Sequence, residues 1–139
     1  MREQSYRNHT RIDPVFHYVA MPLAFINFLG SLVHLAVGFS WLAGWMAISS
    51  FVLLLALLKT REYSKKVQDR VIRMEENFRH YVLTGAPLDA NLTKSQIIAL
   101  RFASDDEFPV LCERTLRENL NAGQVKETIQ SWRADWFRV

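Results

Sequence analysis

The chain has very little cysteine and carries no charge over one long stretch. Its single cysteine, Cys112, excludes an internal disulfide framework and is most simply read as a small buried helix residue. Residues 14–58 contain no Asp, Glu, Lys or Arg. Because one membrane span needs roughly 20 apolar residues, this run of 45 residues is too long for one span and suits two.

The sequence also lacks the motifs of several common enzyme classes. It has no Walker-type loop, no G-x-G-x-x-G, no CxxC, no HExxH and no G-x-S-x-G. Acidic pairs such as Glu75-Glu76 and Asp105-Asp106 are explained by salt bridges on helices and by helix capping. We therefore expect a protein that is not an enzyme and that binds no metal.

A break at residues 38–40, with the sequence GFS, divides the apolar run. The pattern predicts a transmembrane hairpin over residues 14–58, with spans at about 15–37 and 41–58 joined by a short turn. Since the second span follows at once, we do not expect a cleaved signal peptide.

The start of the first span has clear local signals. Asp13 can cap the helix, and Pro14 fits its first helical position. Pro22 lies further inside and predicts a kink, because proline removes one backbone hydrogen bond.

Basic residues flank the hairpin, whereas the connecting turn carries no charge. By the positive-inside rule, both termini should lie in the cytoplasm, including an N-terminal arm over residues 1–13. Residues 59–79, next to the second span, carry 7 basic and 4 acidic residues, whereas residues 86–139 carry 7 and 8. Positive charge concentrated beside the membrane suits anionic lipid headgroups better than nucleic acid. The residues expected to contact headgroups are Arg7, Arg11, Lys59, Arg61, Lys65 and Lys66.

The second span has no stop signal at the membrane boundary. Residues 41–84 contain no proline and one glycine, Gly44, near the start. We predict one helix of roughly 44 residues, about 65 Å long, which continues as a cytoplasmic stalk over residues 59–84. Gly85 ends it.

One apolar stripe runs along the predicted stalk at spacings of three and four residues. The stripe, which we expect to dock within the chain or against a partner, consists of Tyr63, Val67, Val71, Met74, Phe78 and Tyr81. Charged residues lie between its members, and Glu75 and Arg79 have the spacing of a helix salt bridge.

Residues 85–139 predict a small cytoplasmic domain of three short helices, which makes the expected fold an all-α membrane protein. Capping boxes are predicted at Thr93–Gln96, Ser104–Glu107 and Asn121–Gln124, the last opening a helix that runs on to about Trp136. A domain of about fifty residues buries too little apolar surface to be more than marginally stable alone. We therefore expect these helices to pack on the stripe. The C-terminal aromatics expected to dock on the long helix or on a partner are Trp132, Trp136 and Phe137.

The first span carries a seam of small and polar residues at heptad spacing. Its members are His17, Ala20, Ala24, Asn27, Ser31 and His34. Small seams of this kind let membrane helices approach closely, and a small-residue face around Ala43 and Ala47 in the second span offers a partner.

Three interpretations of this seam stay open. Asn27 can act as a hydrogen bond between associated helices, or Asn27, Ser31 and His34 can line a path for ions or water. The third is a haem or quinone site that uses His17 or His34. Since the second span has no histidine, two imidazoles at one depth would require an oligomer.

Several segments resemble a family of small bacterial two-span proteins. They are NHTR followed by DP before the first span, KVQDRVIRMEE after the second, QIIALRFASD, and the terminal SWRADWFRV. That family is a domain of unknown function, sometimes labelled automatically as an ABC transporter permease, although two spans make a poor transporter. The resemblance implies a bacterial inner-membrane protein and no known activity.

The sequence as a whole favours a non-enzymatic scaffold or accessory subunit without a cofactor. Such a protein would self-associate or join a larger membrane complex. A homo-oligomeric pore is the second hypothesis, and a subunit of an electron-transfer assembly is the third.

Overall fold

A computed structural model describes residues 12–135 of the chain. Within these residues the fold is all-helical and contains no β-strand, which confirms the predicted fold class at this level. The helices are α1 (Phe16–Val37), α2 (Trp41–Thr84), α3 (Lys94–Leu100), α4 (Phe108–Arg117) and α5 (Ala122–Thr128).

Helices α1 and α2 are long and apolar enough to cross a membrane. The described residues divide into two compact units, 12–65 and 66–135, and α2 contributes residues to both. The second unit contains the last part of α2 together with the three short helices.

Helix α1 begins where the sequence predicts, but its first turns are irregular. The Asp13 carboxylate accepts a hydrogen bond from the Phe16 N–H at 3.2 Å. Residues Phe16–Ala20 are π-helical, and the Met21 N–H donates to the Phe16 carbonyl. The irregularity expected at Pro22 therefore lies in the turn just before it.

Helix α2 confirms the predicted uninterrupted helix of 44 residues. The Ser40 hydroxyl caps its start by accepting from the Ala43 N–H at 3.1 Å. At its end the Gly85 N–H donates to the Tyr81 carbonyl at 2.8 Å. Gly85 has a φ of 76°, a left-handed conformation that glycine adopts without strain and that ends the helix.

The short helices enclose the main hydrophobic core of the second unit. Two of the three predicted capping boxes are confirmed, at Thr93–Gln96 and Asn121–Gln124, with both reciprocal hydrogen bonds present. The fully or nearly buried core residues are Leu92, Ile97, Ala99, Leu100, Phe102, Ala103, Phe108, Leu111, Cys112, Val125 and Ile129.

The capping box predicted at Ser104–Glu107 is wrong. The Glu107 carboxylate instead accepts hydrogen bonds from the Gln130 and Ser131 N–H groups, at 3.1 and 3.0 Å. These contacts also explain why α5 ends at Thr128 rather than continuing towards Trp136 as predicted. The N–H groups of the extended backbone after α5 donate hydrogen bonds to the α3–α4 connection. These groups therefore have partners without a further turn of helix.

Candidate helix-association surfaces

Small side chains form the contact between α1 and the first part of α2. Ala24 and Ser31 of α1 are buried, and so are Ala43, Ala47 and Ser50 of α2. The Ser31 and Ser50 hydroxyls lie 2.8 Å apart, which makes a buried hydrogen bond between the two helices. The small faces predicted on the two spans therefore meet at Ala24 and Ser31.

Only part of the predicted seam lies in this contact. Asn27, His34 and His17 are exposed, and Ala20 is half-buried. In a straight α-helix, Asn27 points about 60° away from Ala24, so a heptad pattern overestimates how well the two align. The π-helical segment changes the direction of the side chains before Met21 relative to this contact. The His17 ring bonds the Asp13 carbonyl at 2.8 Å.

Asn27 borders a shallow groove on the surface of the helix pair. The groove has a volume of about 220 Å³ and is lined by Asn27, Ser31, Met46, Ser49, Ser50 and Leu53. The Asn27 amide has no hydrogen-bond partner within residues 12–135, and the large apolar side chains of Leu23 and Ile26 on the neighbouring surface are exposed. The groove therefore presents the Asn27 amide and neighbouring serine hydroxyls within an otherwise apolar surface.

The two histidines of the first span do not form one site within the chain. His17 and His34 are separated by roughly 25 Å along the helix axis. Among the described residues, no group of three or more His, Cys, Asp or Glu side chains is positioned to hold a metal ion.

Lys59 and Arg61, which the sequence assigns to lipid contact, have partners within the first unit. Lys59 pairs with Glu62 at 2.8 Å, and the Arg61 guanidinium lies 5.1 Å from the centre of the Phe16 ring. The Arg61 Nε atom is buried without a hydrogen-bond partner in the described part of the chain. Lys65 and Lys66 are exposed, and Arg7 and Arg11 lie outside the described residues.

The apolar stripe of α2 is exposed along its whole length. Its members Tyr63, Val67, Val71, Met74, Phe78 and Tyr81 have between 46% and 69% of their surface accessible. The expectation that the short helices pack on Val67 to Tyr81 is therefore wrong. Their core is filled by their own apolar residues, and they use another face of α2.

That other face is held by a buried ion pair. Ile72 and Glu76 are buried, and the Arg79 guanidinium bonds Glu76 at 2.9 Å and Asp105 at 2.7 Å. Arg79 also donates to the Ala103 carbonyl at 2.7 Å. Arg79 thus satisfies a backbone carbonyl just after α3, a contact that no local sequence signal indicates.

Neighbouring contacts extend the same face. Lys94 pairs with Asp69 at 3.0 Å, and the Arg79 guanidinium lies 4.3 Å from the centre of the Phe108 ring. The salt bridge expected between Glu75 and Arg79 is not formed, because Arg79 turns towards the short helices. Glu75 stays on the exposed side of α2.

Trp132 docks on the core of the short helices. Its ring lies 5.0 Å from that of Phe102, and the Arg133 N–H donates to the Phe102 carbonyl at 2.7 Å. Asp135 pairs with the largely buried Arg101 at 2.9 Å. The predictions for Trp136 and Phe137 lie outside the described residues.

Comparison with known proteins identifies a family but no characterised relative. Neither the curated proteins nor the solved structures contain a match to the chain. One family model matches residues 1–139, and its description is Family of unknown function (DUF6526). Since the match spans the whole sequence, the chain belongs to this uncharacterised family.

Proposed function

We propose that this protein is a non-enzymatic scaffold or accessory subunit of the bacterial inner membrane. Helices α1 and α2 form its transmembrane hairpin, and both termini face the cytoplasm. The distribution of charge supports this orientation, because Lys59, Arg61 and Lys65 follow the second span and the turn between the spans has no charge.

The observation that carries the proposal is the exposed amide of Asn27. In a membrane, the surface around Leu23 and Ile26 faces hydrocarbon, where an unsatisfied amide costs on the order of a few kcal/mol. A further helix that covers the groove and bonds Asn27 removes this cost. The hairpin is therefore suited to association with another membrane helix, from a second copy or from another subunit.

The α2 stripe supports the same conclusion from the second unit. Large apolar side chains rarely form a continuous exposed row on a protein that has no partner. Because the short helices are held on another face of α2 through Asp69 and Arg79, the part of the stripe from Val67 to Tyr81 is accessible to another chain.

A pore is the second candidate, and the groove favours it over a haem or quinone site. Several copies arranged around an axis could line a path with Asn27, Ser31 and Ser49. In that arrangement the amide faces water and needs no helix to cover it.

Asn27→Leu separates the two candidates. A scaffold loses a hydrogen bond between helices, so we expect a smaller assembled mass or a lower melting temperature in detergent and no ion flux in liposomes. A pore predicts altered flux at unchanged assembled mass. Ile26→Leu, at a neighbouring exposed position, is the matched control and should change neither property. A variant with normal mass, stability and flux would contradict both roles for the groove.

A further inference from the structure

The stripe on α2 has the spacing of a coiled-coil seam. From Val67 onwards its members follow each other at intervals of four, three, four and three residues. This alternation is a heptad repeat, in which Val67, Met74 and Tyr81 occupy d positions and Val71 and Phe78 occupy a positions. We call these five residues the α2 seam, from which Tyr63 is excluded because it falls at a flanking g position.

The packing of the short helices leaves the α2 seam accessible. They contact α2 through Arg79 at a b position and Asp69 at an f position. Ile72, also a b residue, and Glu76, also an f residue, are buried on the same side of the helix. The b and f positions lie on the side of a coiled-coil helix that faces away from its partner. The chain's own domain thus covers the outer side of α2 and leaves the a and d positions uncovered.

We propose that the α2 seam binds the α2 seam of a second copy of this chain, as a parallel coiled coil in register. The inference deepens the proposed scaffold function, on which it rests, by naming one partner. Identical seams placed side by side stack Val71 on Val71 and Phe78 on Phe78. The arrangement closes on itself around a twofold axis, as most homo-oligomer interfaces do.

The flanking charges select the second copy and its direction. Arg70 is a g residue and Glu75 is the e residue of the next heptad. In a parallel pair, g of one helix faces the following e of the other, so Arg70 meets Glu75 of the second copy on both sides of the seam. Arg70 and Glu75 are exposed and form no ion pair with other described residues, so both are available for this contact.

An antiparallel pair does not use these charges. There g faces g and e faces e, which places Arg70 opposite Asn77 and Glu75 opposite Gln68. Neither contact joins opposite charges. Charge complementarity therefore favours the parallel arrangement, which is also the one that two copies inserted alike in one membrane present.

Disulfide trapping in native membranes tests the contact directly. We expect Met74→Cys, at a d position, to give a covalent dimer on mild oxidation. Arg73→Cys, at the adjacent exposed c position, is the matched control and should give several-fold less. The native Cys112 is buried, so the unsubstituted protein should give none. Equal yields from Met74→Cys and Arg73→Cys would overturn the proposal, and Val67→Cys repeats the test at a second d position.

Charge exchange in the Met74→Cys background tests the direction and the pairing. Arg70→Glu and Glu75→Arg should each lower the dimer yield several-fold, because each places like charges opposite each other. The double variant R70E/E75R restores the pairs with reversed sign and should recover the yield. A double variant that stays as low as the single variants would contradict the parallel register.

The assembled mass separates failure of this inference from failure of the scaffold function. If no seam dimer forms but the protein still assembles above the mass of one chain, the coiled coil is wrong and the scaffold function stands. If no seam dimer forms and the protein exists only as single chains, both proposals are wrong.

Discussion

Cys112 shows how one residue takes its chemistry from its surroundings. Its thiol is buried in the core of the short helices, and loss of solvent raises its pKa to about 12. The nearby Glu76 carboxylate adds to the shift. The thiol is therefore protonated and unreactive at physiological pH, which agrees with the structural role inferred from the sequence.

We expect this thiol to resist alkylation as long as the protein is folded. Iodoacetamide at pH 8 should leave Cys112 unmodified in the native protein and modify it fully in denaturant, as measured by intact mass. Rapid modification of the native protein would show that the core around Cys112 is open.

The same shift gives a dependence of stability on pH. The thiol ionises near pH 9.0 in the unfolded chain and near pH 12 in the folded one. Its contribution is therefore complete below pH 9.0 and is lost as the pH rises towards 12. Cys112→Ala removes this contribution, so the stability of the wild-type protein should fall more steeply than that of the variant over this range.

At the scale of elements, α2 uses two faces for two tasks. One face holds the short helices through Asp69 and Arg79, and the other carries the apolar stripe. The sequence predicted the length of α2 because the absence of proline and the scarcity of glycine are local signals. It could not predict which face docks, since that depends on the distant Asp105 and on the Ala103 carbonyl.

Removing Arg79 should loosen the short helices from α2. Arg79→Met leaves Glu76 buried without its partner, which we expect to cost about 3–5 kcal/mol of stability. Hydrogen exchange on the full-length protein should show faster exchange in α4. Arg73→Met, an exposed arginine on the same helix, is the control and should change stability by less than about 0.5 kcal/mol. Unchanged protection in Arg79→Met would contradict the docking role of the ion pair.

The hairpin shows a similar limit to prediction from sequence. Heptad counting located the small faces that contain Ala24 and Ser31, because small residues at regular spacing are visible in one dimension. It placed Asn27 and His34 in the same contact, but both are exposed in the hairpin. Each follows a buried residue, Ala24 or Ser31, by three positions and therefore points about 60° away from it. The exposed groove at Asn27 became visible only with the second helix in place.

At the scale of the whole molecule, each unit presents a surface that residues 12–135 leave exposed. The first unit exposes the Asn27 groove on an apolar surface, and the second exposes the α2 seam. The two surfaces differ in chemistry, since one offers hydrogen bonds and the other offers apolar contacts flanked by charge. Both are explained if the protein works as part of an assembly.

The most direct test of this account is native mass spectrometry of the protein purified gently from its own membranes. We expect a mass of at least two copies of the chain, alone or together with other subunits. A sample in which every particle has the mass of a single chain, with nothing attached, would contradict the account.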